Sequence, residues 1–329
     1  MKEGDIRPEG LLNRYLELSA EDAGNYFSGI GRKSISCVAC QSFDTKSEFE
    51  KNGFAYATCN RCGTLYQTPR PPIEAFEIFY KESESSRFWA EYFFPSVAEA
   101  RRERIFRPRA ELLIQICEAN SVNVNNLIDV GAGYGIFMEE WRRYLPETNL
   151  LGIEPSASLS GVCRKKGFQV IEEMVENVSS HKNYADLVVC FEVLEHVFDP
   201  LSFVKNLANL TKVGGYTFVS TLSVDGFDIQ TLWNRSNSIF PPHHINFMSI
   251  KGFYELFERA GLEVVSITTP GVLDVDIVRN AYKKMPEIFS NNRFVQHLLA
   301  NDDTSAKFQE FISKNCLSSH ALVFAKKVR

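Results

Sequence analysis

Leu127-Ile128-Asp129-Val130-Gly131-Ala132-Gly133-Tyr134-Gly135 is the stretch that decides the fold. Leu127, Ile128 and Val130 flank a single acid, the pattern of a strand buried in a parallel sheet. Glycine then stands at positions 131, 133 and 135. A tight turn asks for glycine where φ is positive or where a ligand must approach the backbone closely. Ile136 to Trp141 starts a helix. Strand, glycine turn and helix make the ligand-binding corner of a doubly wound α/β sheet.

The ligand of this corner is neither a dinucleotide nor a P-loop phosphate. The G-x-G-x-x-G/A fingerprint fails at Ile136, and no Lys-Ser/Thr follows the glycines. Asp129, inside the strand, would repel a pyrophosphate and suits a cationic or hydroxyl-rich ligand. Leu150 to Ile153 reads as a second strand, ending on Glu154-Pro155. Glu154 falls 25 residues after Asp129. There α/β nucleoside binders place an acid that accepts from both ribose hydroxyls. A helix from Ala157 and a third strand, Phe168 to Ile171, lead to Glu172-Glu173-Met174. The fourth strand, Ala185 to Phe191, runs into Glu192-Val193-Leu194-Glu195-His196-Val197, and Asp199-Pro200 opens the next helix. Gly214-Gly215 enters a fifth strand up to Thr221. Ser249 caps a helix over 250–260, Leu262 to Thr268 is a sixth strand, and Ala321 to Ala325 a terminal one.

Taken in order, the D-x-G-x-G-x-G corner, the strand-two acid, the E-V-L-E-H-V string and the Gly-Gly turn resemble the class I S-adenosylmethionine-dependent methyltransferases. The resemblance covers about residues 100–268 and 320–328. It implies an α/β, doubly wound seven-stranded sheet whose last strand runs antiparallel between strands five and six. It also implies S-adenosyl-L-methionine as cofactor. The cofactor would be held by Asp129, Gly131, Ala132, Gly133, Tyr134 and Gly135, with Glu154 and Pro155 at the ribose. Glu173 and Met174 fall where the family contacts adenine, and Phe191, Glu192 and Val193 lie at the strand-four tip beside it.

Ahead of this domain stand Cys37-x-x-Cys40 and, eighteen residues on, Cys59-x-x-Cys62. Two such knuckles read as a tetrahedral zinc ribbon. Four cysteine ligands leave no position for a catalytic water, so Zn(2+) would be structural, supplying stability that so short a segment cannot get from a core. Cys117, Cys163, Cys190 and Cys316 are scattered in apolar contexts, which fits a reducing cytoplasm rather than a secreted disulfide set. The boundaries expected from composition are a helical segment over 1–34, the ribbon over 35–70, a helical linker over 71–120 and the methyltransferase domain over 121–329. A helical insertion at 270–315 interrupts the last. Within the linker, 82–86 reads as loop and 97–119 as one long helix, with Pro108 marking a kink or break. Its arginines, interleaved with Glu99, Glu103 and Glu111, read as a solvated face. Residues 225–240 read as a loop or irregular lid.

Net charge is −5, which gives no overall electrostatic case for nucleic acid, and no apolar run approaches the ~20 residues of a membrane span. The polar first ten residues lack a signal-peptide core. Methyl transfer to a hydroxyl or acidic carbon needs a proton acceptor, and histidine suits that task near neutral pH. His243 and His244, in Pro241-Pro242-His243-His244-Ile245-Asn246-Phe247, rank ahead of His196. One of the adjacent pair is expected to face the site and the other to pack locally. The ribbon and the P-P-H-H-I-N-F string resemble methyltransferases of bacterial sugar-modifying and surface-polysaccharide pathways, which implies a sugar or nucleotide-linked sugar acceptor. The ribbon also resembles that of certain ribosomal-RNA methyltransferases, so RNA methylation is the second reading and a non-catalytic cofactor-binding scaffold the third. Oligomeric state is not legible.

Overall fold

A computed structural model describes residues 1–329. The chain opens with α1 (Glu3–Ile6) and α2 (Glu9–Phe27), then β1 (Thr45–Lys51), β2 (Phe54–Cys59), β3 (Leu65–Gln67), α3 (Ile73–Glu82) and α4 (Glu84–Phe88). A π-helical turn (Trp89–Phe93), α5 (Phe94–Arg101), a second π-helical turn (Arg102–Phe106) and α6 (Arg107–Ala119) follow. The alternating part is β4 (Asn126–Val130), α7 (Ile136–Tyr144), β5 (Asn149–Ile153), α8 (Ala157–Lys165), β6 (Gln169–Ile171), β7 (Ala185–Phe191), α9 (Pro200–Leu210) and β8 (Thr211–Leu222). The chain closes with α10 (Phe227–Leu232), β9 (Asn246–Phe247), α11 (Ile250–Arg259), β10 (Leu262–Thr268), α12 (Asp274–Lys284), α13 (Arg293–Leu299), α14 (Asp302–Lys314) and β11 (His320–Lys327). No helix is long and apolar enough to cross a membrane.

The expected seven-stranded sheet is present, in the order β10-β11-β8-β7-β4-β5-β6, with the terminal strand β11 antiparallel between β8 and β10. Contacts divide the chain into two units that do not follow chain order. One comprises 1–96, 222–252 and 267–322, the other 97–221, 253–266 and 323–329.

The second unit carries most of the sheet. All seven residues of β7 are buried, as a central parallel strand covered on both faces requires. The parallel register puts Val130 opposite both Ile153 and Cys190, Ile153 opposite Ile171, and Cys190 opposite Val219. The next residue of each strand, Gly131, Glu154, Glu172, Phe191 and Ser220, is therefore level at the carboxyl end.

Two local features of this unit have physical reasons. Pro108 marks the change of helix type the sequence suggests, standing in the first turn of α6 directly after the π-helical turn. That turn widens the helix just before it, which accommodates a residue with no N–H to donate and a ring that crowds the carbonyl four back. The arginines are not simply a solvated face. Arg102 and Arg107 converge on the buried Glu140 carboxylate, each at 2.9 Å, Arg143 reaches it at 3.2 Å, and Arg102 also pairs with Glu139 at 2.8 Å. Burying Glu140 demands those partners.

In the first unit, Phe27 of α2 packs its ring 5.1 Å from Phe54 of β2 and 4.9 Å from Phe76 of α3. The ribbon strands form a sheet of their own, β1-β2-β3-β9, whose fourth strand comes from the far end of the histidine string. Residues 82–86 are not a loop: the Ser83 hydroxyl caps α4 by accepting from the Ser86 N–H. Residues 225–240 are not an open lid either. They contain α10 and a 3-10 turn (Trp233–Arg235), and Leu232 packs into a core with Val275, Val278, Phe289, Val295, Leu299 and Ile312. That core also gives the 270–315 insertion a packing role.

Candidate active site

The glycine corner forms as the spacing requires. Gly131, Gly133 and Gly135 have φ of +76°, +54° and +69°, conformations that glycine adopts without strain. At Gly131 a Cβ would lie 2.7 Å from a Val193 methyl, so this glycine is also needed for close packing against the strand-four tip. Ile153 carbonyl accepts from Gly131 N–H at 2.8 Å, tying the turn to β5. Glu154 holds the turn from the same side: one carboxylate oxygen accepts from Gly133 N–H at 2.8 Å and the other from Ser156 N–H at 2.9 Å. Burial pushes the Glu154 carboxyl up, and the two backbone donors oppose that. The Lys166 ammonium donates to the Tyr134 carbonyl, and Gly135 is the residue before α7.

Asp129 lies in β4, buried, with Oδ1 lacking any hydrogen-bond partner. Burial, with added repulsion from Glu154, pushes its carboxyl up to about 8. Pro155, Glu173 and Met174 are exposed. Glu172, level with Glu154, is committed elsewhere: it accepts from Ser160 and Arg164 at 2.7 and 2.6 Å.

At the strand-four tip Phe191 is buried, its ring centroid 4.5 Å from that of Phe137 with the two planes tilted. Glu192 takes a left-handed conformation, φ +55°, and its Oε1 accepts from Arg109 at 2.9 Å and Ser220 at 2.6 Å. Arg109 also lies over the Phe191 ring, 5.4 Å from its centroid. The sequence reading missed this arginine because its partner is 83 residues away. Glu195 is buried and accepts from Thr221 at 2.7 Å; burial and the neighbouring Glu192 push it up to about 8. His196 is half-buried in the turn that follows, its N–H bonded to the Val193 carbonyl.

In the first unit Cys37, Cys40, Cys59 and Cys62 are buried and their sulfurs all lie within 4.8 Å of one another. Cys37 to Cys62 and Cys40 to Cys59 are 3.5 Å apart. Four thiolates at ~2.3 Å around one tetrahedral ion would be about 3.8 Å apart, so the donor set fits zinc. Ser249 donates to the Cys62 carbonyl and accepts from Gly252 N–H at 2.9 Å, so the expected cap of α11 also braces the second knuckle.

The two adjacent histidines have different surroundings. His243 is enclosed by aromatic rings, with Phe79 at 4.8 Å, Tyr15 at 5.2 Å and Phe240 at 5.7 Å. Its Nε2 meets the Ser85 hydroxyl at 2.8 Å, and Asp22 of α2 accepts from Ser85 N–H at 2.9 Å. His244 instead sets Nδ1 2.7 Å from the Ser238 carbonyl. A carbonyl only accepts, so Nδ1 carries the proton, and in the neutral ring Nε2 is the nitrogen able to take another.

The Asp129 environment makes a pH prediction. A carboxyl raised from about 3.9 when unfolded to about 8 when folded contributes stability that is fully present below the unfolded value. That contribution declines as pH rises toward 8. Asp129→Asn keeps the shape and removes the titration. Its melting temperature relative to wild type should therefore climb steadily between pH 5 and pH 8 in ligand-free protein. A difference that stays flat across that window would contradict the buried-carboxyl assignment.

The family model described as a methyltransferase domain matches residues 97–267, which contain the glycine corner, Glu154 and the strand-four tip. The ubiquinone biosynthesis O-methyltransferase of Escherichia fergusonii is 34% identical over 162 residues, 47% of this chain and 65% of that protein. Its Yersinia pestis counterpart is 32% identical over 157 residues, 46% of this chain and 62% of that protein. The chain thus spans a little under two thirds of the length of these curated relatives. Among solved structures, the plantazolicin methyltransferase BamL, in complex with a triazolic desmethylPZN analog and SAH, has a TM-score of 0.51 at 13% identity over 77% of this chain and 94% of its own. A SAM-dependent methyltransferase from Archaeoglobus fulgidus has a TM-score of 0.50 at 17% identity over 72% of this chain and 100% of its own. At those identities the likeness is one of fold. With its model matched over just over half of the residues, the chain belongs to the methyltransferase-domain family.

Proposed function

We propose that this protein transfers a methyl group from S-adenosyl-L-methionine to a small-molecule hydroxyl. The observation that carries this reading is the glycine corner with two acids beside it. Asp129 has a buried oxygen without a partner, and each Glu154 oxygen, having accepted one backbone N–H, keeps a further lone pair for a ribose hydroxyl. That set favours a ligand rich in hydroxyls and positive charge. In this reading Gly131, Ala132, Gly133, Tyr134 and Gly135 carry the cofactor and Pro155 flanks the ribose. The exposed Glu173 and Met174 close over the adenine, and Phe191, Glu192 and Val193 form the adjoining wall. When bound, the cofactor supplies an electrophilic methyl carbon on a sulfonium leaving group.

His244 is the proposed proton acceptor, because the Ser238 carbonyl leaves its Nε2 as the basic nitrogen. His243, packed among aromatic rings and bonded to Ser85, is assigned to holding the segment. His196 is assigned to the strand-four turn. Cys37, Cys40, Cys59 and Cys62 hold one structural zinc. The free thiols support a reducing, cytoplasmic setting. The name of the curated relatives supports an O-methyl product on a small molecule. Within that class, the ribbon and the P-P-H-H-I-N-F string support a sugar hydroxyl, which a panel of nucleotide-linked deoxysugars and catechols would test against a phenolic one. The net charge of −5 counts against RNA.

Three outcomes test this reading. Metal analysis should find one zinc per chain in purified protein and a loss of it in Cys59→Ser; zinc-free, fully folded wild type would refute the metal assignment. Glu154→Ala should weaken S-adenosylhomocysteine binding by about 1.5–3 kcal/mol in calorimetry, the loss of hydrogen bonds to a charged group; unchanged affinity would remove Glu154 from the site. His244→Gln should cut turnover ~10²–10⁴-fold with cofactor affinity intact. His243→Gln should mainly lower the melting temperature. The reverse pattern would exchange their roles.

A further inference from the structure

The four-cysteine ribbon touches the histidine segment along its length, and those contacts define a role for it. The Tyr56 hydroxyl of β2, fully buried, donates to the carbonyl of His244 at 2.6 Å. Lys51 at the end of β1 donates from Nζ to the Ser236 carbonyl at 2.8 Å. Asn52, in the turn between β1 and β2, donates from its amide to the Pro241 carbonyl at 3.3 Å. From β3, Gln67 N–H donates to the Ile245 carbonyl at 2.9 Å. Arg70, just beyond it, reaches the Asn246 side chain at 2.9 Å. One hairpin thus grips three carbonyls spread over residues 236–244, and the next strand extends the segment into the ribbon sheet as β9.

Between the gripped points lies the Ser238 carbonyl, which takes the Nδ1 proton of His244. Where that carbonyl sits relative to the imidazole decides which ring nitrogen is basic. The backbone of His244 is held by Tyr56, and the approach to Ser238 is held by Lys51 two residues earlier.

We propose that the ribbon is a positioning part of the enzyme, with Tyr56 and Lys51 as positioning residues that hold His244 in its Nδ1–H tautomer. The proposal rests on His244 as proton acceptor. In the step it serves, the acceptor hydroxyl proton passes to Nε2 of His244 as the hydroxyl oxygen bonds to the methyl carbon. The carbon–sulfur bond breaks with its electron pair leaving on sulfur, and the imidazole becomes imidazolium. A ring in the other tautomer would present an N–H at Nε2 and could not take that proton. The same contacts give the ribbon an intramolecular task.

Nitrogen NMR of protein labelled at its six histidines and saturated with S-adenosylhomocysteine tests this, with the His244 signals assigned by their loss in His244→Gln. In wild type the two ring nitrogens of His244 should be well separated, with the proton on Nδ1. In Tyr56→Phe and in Lys51→Met they should converge as the ring samples both tautomers. Zinc content and S-adenosylhomocysteine affinity should stay at the wild-type level. Wild-type nitrogen shifts in both variants, with each folded and metal-loaded, would overturn the proposal. The reading it rests on fails differently: tautomers that shift as stated, together with His244→Gln retaining full turnover, would keep the grip of the ribbon and refute His244 as the base.

Discussion

The cofactor end of this protein depends on one backbone constraint, the left-handed conformation of three glycines at alternate positions after β4. With φ positive at 131, 133 and 135, the chain leaves the strand, turns back and starts α7 within five residues. A side chain at 131 would run into Val193, and one at 135 would press on the Cys163 sulfur at 3.0 Å. The turn is thereby locked between the strand-four tip and α8. Its amides are held by Ile153 and Glu154 on the neighbouring strand. The parallel register does the rest: it places Glu154 and Phe191 level with Gly131, so groups more than twenty residues apart share one end of the sheet.

The first unit depends on a different constraint. A short four-stranded sheet has little core of its own, and a metal bound by four thiolates would supply what burial does not. The ribbon is not an independent bead on the chain. Its sheet is completed by Asn246 and Phe247, its second knuckle is braced by Ser249, and Phe54 at its hairpin packs on Phe27 of α2. The N-terminal helix takes part in the same unit. Its Tyr15 and Asp22 lie around His243 and Ser85, which gives a purpose to a segment that has no motif of its own.

The sheet was legible because its strands are continuous apolar runs bounded by glycine, proline or acid. The corner was legible because glycines at alternate positions between a strand and a helix suit little besides a tight turn that a ligand approaches. The order of the seven strands, with the last one antiparallel, was implied by the resemblance to class I methyltransferases rather than by these patterns. The four cysteines were legible for a similar reason: their spacing suits four ligands around one tetrahedral ion. What stayed hidden depends on contacts distant in sequence. Arg109 reads as one of several arginines on a helix until Glu192 is seen beneath it. Tyr56 reads as an ordinary strand residue until the His244 carbonyl is found on its hydroxyl. Residues 225–240 read as a loop because Asp, Gly, Asn and Ser dilute the pattern, although Ile229, Leu232 and Ile239 are enough to bury it. The difference between His243 and His244 was likewise beyond the sequence, since it rests on whether Ser85 or the Ser238 carbonyl faces each ring.

The central claim is that the glycine corner and Glu154 bind S-adenosylmethionine. Amide hydrogen exchange measured with and without S-adenosylhomocysteine tests it most directly. Strong added protection is predicted across 131–135 and 154–156, with no protection there from NAD. Protection by NAD at those amides, or none from S-adenosylhomocysteine, would contradict it.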